Sequence, residues 1–257
     1  MDKIPIGQIK DIIGDFKEIT LLENQGCTSK VRKIISETKK FIIKSSYNER
    51  YREWLKNEAN VLKQLSERKF HLVPKYIGFI DEDDASHIIM SYEEGEPLTL
   101  ALDKATSIQE KKSLIKSFGQ LIQQLHNSRI FFDENIQNET WLECQLIMAE
   151  KYFYEGGTDG SLELLNKIKA NKPKPIEQTV IHGDCTTDNV LVMNGKVKLF
   201  IDVAGMTIGD PRYDLALAIR KFNMNQQLID AFYEGYTKYT ISEEEFEYFN
   251  NGLYEFF

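Results

Sequence analysis

Apolar positions recur at two different periods along this chain. The opening stretch, MDKIPIGQIKDIIGDF, scatters isoleucines among charges and reads as a short amphipathic helix. Residues 17–44 then read as strands. KVRKII (30–35) and KFIIK (40–44) flank the polar turn SETK as a hairpin, preceded by the polar turn ENQGCTSK with its one glycine, Gly26. The period changes to that of a helix over 49–67, where Trp54, Val61, Leu62 and Leu65 mark an apolar stripe. Two further strands surround an acidic turn, residues 81–84, before Gly95 and Pro97 break the pattern.

Beyond that break the helical period dominates. Ser107 and Glu110 have the spacing of a capping box, opening a helix that runs to His126. Residues 141–168 read as two helices split by EGGTDG, and NKPKP reads as a linker. A helix, YDLALAIRKF, follows Asp202, and Ser242 with Glu245 caps a helical C-terminus. Strands crowd the first hundred residues and helices the remainder. The expected class is α+β in two lobes: a sheet lobe with one helix over 1–94, and a mainly helical lobe over 95–257.

Composition narrows the function. Charged residues make up 28% and hydrophobic ones 42% of the 257 residues, as in an ordinary soluble protein. A net charge of −8 opposes non-specific wrapping of nucleic acid, so none is expected as a partner. No apolar run approaches the ~18 residues of a membrane span, and the start lacks a signal-peptide core. Cys27, Cys144 and Cys185 are odd in number, far apart and free of any CxxC, which fits a reducing, cytoplasmic setting.

The candidate chemistry lies in IHGDCTTDNVLVMNGKVKLFID, residues 181–202. Asn194-Gly195 predicts a two-residue hairpin turn, because both positions accept positive φ. Pairing Met193 with Lys196 and counting back sets Asn189 opposite Phe200 and Thr187 opposite Asp202. Asn189 and Asp202 then share one end of the hairpin, with Asp184 on the loop that feeds it. Oxygen donors of this kind suit a hard cation such as Mg²⁺. The structural alternative is that Asp184 and Asn189 make Asx turns and cap strands.

A second pair sits earlier. Glu58 lies four residues after Trp54 and four before Leu62, on the apolar stripe. A carboxylate facing a core needs a counter-charge, and Lys44 at the end of the preceding strand can supply it. Such a pair can hold a lysine head against phosphate oxygens. The alternative is that Glu58 sits at the edge of the stripe and reaches water.

Lys44, Glu58, HGDCTTDN and FIDVAGMTIGDPRYDLA together closely resemble the aminoglycoside phosphotransferase family, small-molecule kinases with a protein-kinase-like fold. The resemblance runs from about Glu18 to the last residue. It implies that Asp184 is the catalytic aspartate, orienting the acceptor hydroxyl and taking its proton. Asn189 and Asp202 would bind Mg²⁺, and Lys44, held by Glu58, would contact the phosphates of ATP or GTP. The backbone of Ser91 and Glu93 would meet a purine edge, with Met90 behind it and Ile42 in an apolar adenine pocket. His182 would brace the catalytic loop. Asp210 and Asp214 would brace it too and cap the next helix, the ordinary cap reading being preferred for both. His71, His87 and His126 read as packing residues, and Cys185 as filler.

Acceptor choice rests on two features. Residues 133–163 hold eight acids, including Asp133, Glu134, Glu139, Asp159 and Glu163, against Lys151 alone, a sum of −7. This stretch falls where the family has its substrate-binding insert, and a cationic sugar would be drawn to it. The alternative is a solvated helical face. The tail GLYEFF resembles the aminoglycoside 3′-phosphotransferase ending, so Glu255 and the Phe257 carboxylate are expected on the acceptor, whereas Tyr254 stands where those enzymes have an aspartate. The leading expectation is phosphoryl transfer to an aminoglycoside-like antibiotic. The competing ones are a kinase of another small molecule (choline, homoserine, a methylthiosugar, a macrolide) and a catalytically dead nucleotide-binding protein. A protein kinase is disfavoured: DFG, APE and a GxGxxG loop are missing.

Overall fold

The computed structural model describes residues 4–23, 25–26, 28–130 and 140–257. Cys27, Asp133, Glu134 and Glu139 lie outside the described residues. The chain forms two compact units: residues 1–94 with 201–204, and residues 95–200 with 205–257.

In the first unit, helix α1 (Ile6–Ile13) precedes strands β1 (Phe16–Leu21), β2 (Lys30–Ser36) and β3 (Lys40–Ser46). Helix α2 (Glu49–Glu67) leads to β4 (Tyr76–Asp81) and β5 (Ser86–Ser91). The strands make one antiparallel sheet in the order β1-β2-β3-β5-β4. Period-two alternation sends Phe41 and Ile43 of β3 to one face, where they join Ile9, Ile34, Ile80 and Ile89 in a buried cluster. Ile42 and Lys44 therefore face the other way. Opposite residues share a face, and the register pairs Ile42 with Met90 and Lys44 with Ile88. Asn48 caps α2 by accepting from the Arg50 N–H. The buried stripe of α2 is Leu55, Glu58, Ala59, Val61, Leu62 and Leu65. Trp54, expected on that stripe, is half-buried beside it, stacked under Arg50.

The second unit begins with β6 (Glu96–Pro97) and a short helix α3 (Leu98–Lys104), which the sequence pattern did not mark. Helices α4 (Ile108–His126), α5 (Trp141–Glu155) and α6 (Leu162–Ala170) follow. Ser107 does accept from the Glu110 N–H, but the Glu110 carboxylate takes the Thr106 N–H instead of closing the box. Then come β7 (Thr179–Ile181), β8 (Val190–Met193), β9 (Lys196–Phe200) and β10 (Thr207–Gly209). Helices α7 (Pro211–Ile219), α8 (Gln226–Gly235) and α9 (Glu243–Asn250), with a 3₁₀ turn over Leu253–Phe256, complete the chain. At the N-terminus of α9, Ser242 and Glu245 form both halves of the box. Helices α4 and α8 pack at a glycine crossing: a Cβ on Gly119 would lie 2.3 Å from the Phe232 carbonyl oxygen.

The β8–β9 hairpin turns at Asn194 and Gly195 with φ of 53° and 73°. Its register departs from the simple count. Met193 faces Lys196 and Val192 faces Val197, but a bulge follows, and Val190, not Asn189, faces Phe200. The extra residue is on β9, at the exposed Lys198, between the buried Val197 and Leu199. Counting from the turn assumes an unbroken ladder, and one inserted residue shifts everything beyond it. Strands β7 and β10, also unmarked by the sequence pattern, pair antiparallel, Ile181 against Thr207, immediately before His182.

Candidate active site

In the first unit, Lys44 gathers two carboxylates. Its Nζ lies 2.8 Å from Glu58 Oε2 and 2.7 Å from Asp202 Oδ1. Glu58 is 2% exposed, so it does not reach water at the edge of its helix. Burial alone would lower the Lys44 pKa, but Glu58 and Asp202 outweigh it and hold the ammonium above its ordinary value. For Glu58 burial works the same way on the opposite charge: it raises the carboxyl, Lys44 pulls it back down, and Asp202 pushes it up again. Lys44 thus stays cationic between two acids.

Asp202 adopts φ of 58°, the left-handed region that aspartate tolerates better than most residues. Two residues on, the Ala204 carbonyl accepts from the Asn57 side-chain amide of α2 at 2.5 Å. The segment is thereby tied to the helix that presents Glu58. Asn57 was not singled out in the sequence, and an exposed asparagine on a helix gives no signal of such a contact.

On the sheet, Ile42 and Met90 pair on the face that presents Lys44. The Ser91 N–H donates to the Lys75 carbonyl at 3.0 Å, and the Ser91 hydroxyl donates to Glu93 Oε1 at 2.6 Å. The Ser91 amide hydrogen is therefore committed within the strand pair.

In the second unit, the loop after β7 is suspended from one buried carboxylate. Asp214 on α7, fully buried, accepts from the His182 N–H at 2.7 Å and from the Gly183 N–H at 2.9 Å. The cap role falls to Asp210, which accepts from the Arg212 N–H. The expectation that Asp214 also acts chiefly as a cap is corrected: its position in the first turn of α7 points it at the loop. His126 Nε2 lies 3.2 Å from Asp214 Oδ2, and His126 Nδ1 lies 2.9 Å from the Tyr236 hydroxyl. His126 is thus more than packing, for it buttresses the buttress. His87 is buried beside Ser45, whereas His71 is exposed and packs no core.

Gly183 has φ of +81°, and a Cβ there would lie 2.4 Å from the Gly205 carbonyl oxygen. The HGD glycine is required on both counts. Past it, the Asp184 N–H donates to His182 Nδ1 at 3.2 Å. Asn189 Nδ2 donates to the Asp184 carbonyl at 3.0 Å and to Asp184 Oδ2 at 2.7 Å. The Tyr254 hydroxyl donates to Asp184 Oδ1 at 3.3 Å. Burial and the Asp184 charge push the Tyr254 hydroxyl up to about 12, and the Arg220 guanidinium sits 4.6 Å above its ring. Neither Tyr254 nor Arg220 was expected here. Cys185 is fully buried, and burial raises its thiol well above the ordinary value, as suits an inert filler.

The remaining expected site residues are less concentrated. Asp159 and Glu163 are exposed. The Asp159 and Gly160 N–H groups donate to the Glu255 carbonyl at 3.1 and 2.9 Å, joining that loop to the tail. Phe257 is 40% exposed, its ring edge-on to Tyr152. Glu163 occupies the first turn of α6, where a carboxylate also suits the helix dipole. The acidic stretch is partly neutralised by lysines from outside it: Glu150 meets Lys169 at 2.7 Å and Glu143 meets Lys172 at 3.9 Å. The sum of −7 over the stretch therefore overstates the field.

Comparison with known proteins identifies the family and the fold. Residues 21–248 match the family model described as "Phosphotransferase enzyme family". The "Protein LicA homolog" of Mycoplasma capricolum is 27% identical over 172 residues, 67% of this chain, and the chain spans 65% of that relative's length. Among solved structures, a type VIII aminoglycoside-3′-phosphotransferase superposes with a TM-score of 0.75 at 20% identity, over 93% of each chain. The Streptomyces rimosus aminoglycoside phosphotransferase APH(3″)-Id, in complex with ADP and streptomycin, gives 0.68 at 15% identity over 99% of each chain. With a family model matched across most of its length, this chain belongs to the phosphotransferase enzyme family.

Proposed function

We propose that the protein transfers the γ-phosphoryl group of ATP or GTP to a hydroxyl of an aminoglycoside-like antibiotic, and so confers resistance. The observation that weighs most is Asp184. Its carboxylate is oriented by Asn189, on a loop hung from the buried Asp214. A carboxylate so fixed can orient an acceptor hydroxyl and take its proton, while phosphoryl transfer otherwise needs positioning and neutralised charge.

Lys44, held between Glu58 and Asp202, would contact the donor's phosphates. Ile42 and Met90 would line the adenine pocket. Because its N–H is used, Ser91 would offer a purine its carbonyl, with Glu93 offering its N–H. Asn189 and Asp202 would hold Mg²⁺. The donor chemistry fits: with Nδ2 turned onto Asp184, Asn189 directs its amide oxygen away, and Asp202 is a carboxylate. Among the described residues no three His, Cys, Asp or Glu side chains gather as a metal site. A two-ligand site completed by phosphate oxygens and water is how magnesium is commonly bound. When bound, the cation would neutralise charge on the phosphates.

An aminoglycoside acceptor draws support from the two structural neighbours and from the exposed Asp159 and Glu163 near the tail, with Glu255 and Phe257 expected to meet the drug. A cytoplasmic setting is consistent with the described helices, none of which is long and apolar enough to cross a membrane. A second reading, a kinase of a different small molecule, is favoured by Tyr254 with Arg220 at Asp184 and by the lysine-neutralised acids. An acceptor panel with ATP or GTP and Mg²⁺, read by phosphorylated-product mass, separates the two. Turnover of an aminoglycoside is expected; turnover only of metabolites would replace the resistance role.

A further inference from the structure

Both oxygens of the Asp184 carboxylate receive a neutral donor. Oδ2 takes the Asn189 amide at 2.7 Å, and Oδ1 takes the Tyr254 hydroxyl at 3.3 Å. We propose that Tyr254 is a positioning residue that guards Asp184: its phenol holds the oxygen to which an acceptor hydroxyl must donate. Entry of the acceptor then requires exchange of one hydroxyl for another. This inference rests on the phosphotransferase reading of Asp184.

Three observations support a guard over an incidental contact. The tail that presents Tyr254 is anchored by the two residues that follow it. The Glu255 carbonyl accepts two N–H groups, from Asp159 and Gly160. Phe256 is fully buried against Gly160, where a Cβ would lie 2.4 Å from its ring. The backbone is therefore fixed, and exchange needs only a side-chain rotation. Second, the Arg220 guanidinium lies 4.6 Å above the Tyr254 ring, a cation–π contact that favours one ring orientation. Third, the bond to Asp184 is long, so it is weak enough to be replaced by a shorter one from an acceptor.

The consequence is selectivity against water. A water molecule gains little by displacing the phenol, because it brings no binding energy from elsewhere. An acceptor held by its remaining groups can meet that cost. Tyr254→Phe removes the hydroxyl and keeps the ring on which Arg220 stacks.

The test measures nucleotide hydrolysis without acceptor, and nucleotide affinity by calorimetry, in the wild type, Tyr254→Phe, Asp184→Asn and the double variant. Hydrolysis is expected to rise about three- to tenfold in Tyr254→Phe, the range a single weak hydrogen bond to a charged group can supply, with nucleotide affinity unchanged. In the Asp184→Asn background the same change should have no effect, since the guarded group is gone. Unchanged or slower hydrolysis in Tyr254→Phe, with nucleotide bound normally, overturns the guard. So does an equal rise in both backgrounds, which would mean that Tyr254 acts through packing. Failure of the phosphotransferase reading looks different: no nucleotide binding in the wild type, or hydrolysis indifferent to Asp184→Asn alone.

Discussion

Two acidic centres in this molecule are held in opposite ways. In the first unit, Glu58 and Asp202 share one ammonium, Lys44, at 2.8 and 2.7 Å. In the second, Asp184 receives uncharged donors, the Asn189 amide and the Tyr254 hydroxyl. Pairing with two carboxylates keeps the Lys44 ammonium charged and fixes its position. The amide and the hydroxyl each donate to one carboxylate oxygen and so orient the group. In the proposed reaction, the first arrangement would keep a cation against phosphate, and the second would present an oriented carboxylate to the acceptor hydroxyl.

Three substitutions separate these roles. The largest effect is expected for Asp184→Ala. Transfer should fall about 10²–10⁴-fold, the usual contribution of a general base, with nucleotide affinity by calorimetry nearly unchanged. Equal loss of both would mean that Asp184 shapes the fold or the nucleotide site instead.

Lys44→Met comes next. Its kcat/KM for nucleotide should fall about 10- to 100-fold, the worth of a charge-assisted hydrogen bond to phosphate. It also leaves Glu58 buried without its cation, costing on the order of 3 kcal/mol at neutral pH. Burial already raises the Glu58 carboxyl, and losing Lys44 raises it further. A carboxyl raised in the folded state contributes stability at low pH that is lost as pH climbs through its folded value. The stability deficit of the variant, read by urea melts, should therefore shrink as pH falls toward the ordinary glutamate value of 4.5. A deficit independent of pH would remove Glu58 from the account.

Asp214→Ala should be the mildest for catalysis, about tenfold in kcat, because it acts on the loop and touches no reacting atom. Its cost is mainly stability: the buried His182 N–H and the half-buried Gly183 N–H lose their acceptor, at about 1–3 kcal/mol for the first and less for the second. A lower Tm with a modest kcat change sharpens the comparison. A kcat loss as large as that of Asp184→Ala would place Asp214 among the reacting groups.

Much of the fold was legible because its signals are local. The helix at 49–67 announces itself by period, and the hairpin at Asn194-Gly195 by two residues that tolerate positive φ. The ion pair of Lys44 with Glu58 was legible for a different reason: a carboxylate on an apolar stripe needs a cation, and Lys44 ends the preceding strand. The hairpin register was not, because the bulge at Lys198 satisfies the burial of Val197 and Leu199 and leaves no mark in residue type. Short elements such as α3, β7 and β10 were missed because three to seven residues hold too little periodicity to stand out.

The sequence by itself determined which elements form and which residues have chemistry to offer, because period, turn propensity and side-chain type are properties of neighbours in the chain. Apart from the Lys44–Glu58 pair, only the tertiary structure decided what those residues touch. Asp214, read as a helix cap, became the anchor of the loop after β7, and Tyr254, read as a departure from a tail motif, came to lie on Asp184. Both contacts join residues at least thirty positions apart, His182 to Asp214 and Asp184 to Tyr254. Partners so distant are chosen by how whole elements pack, and no local pattern encodes that choice.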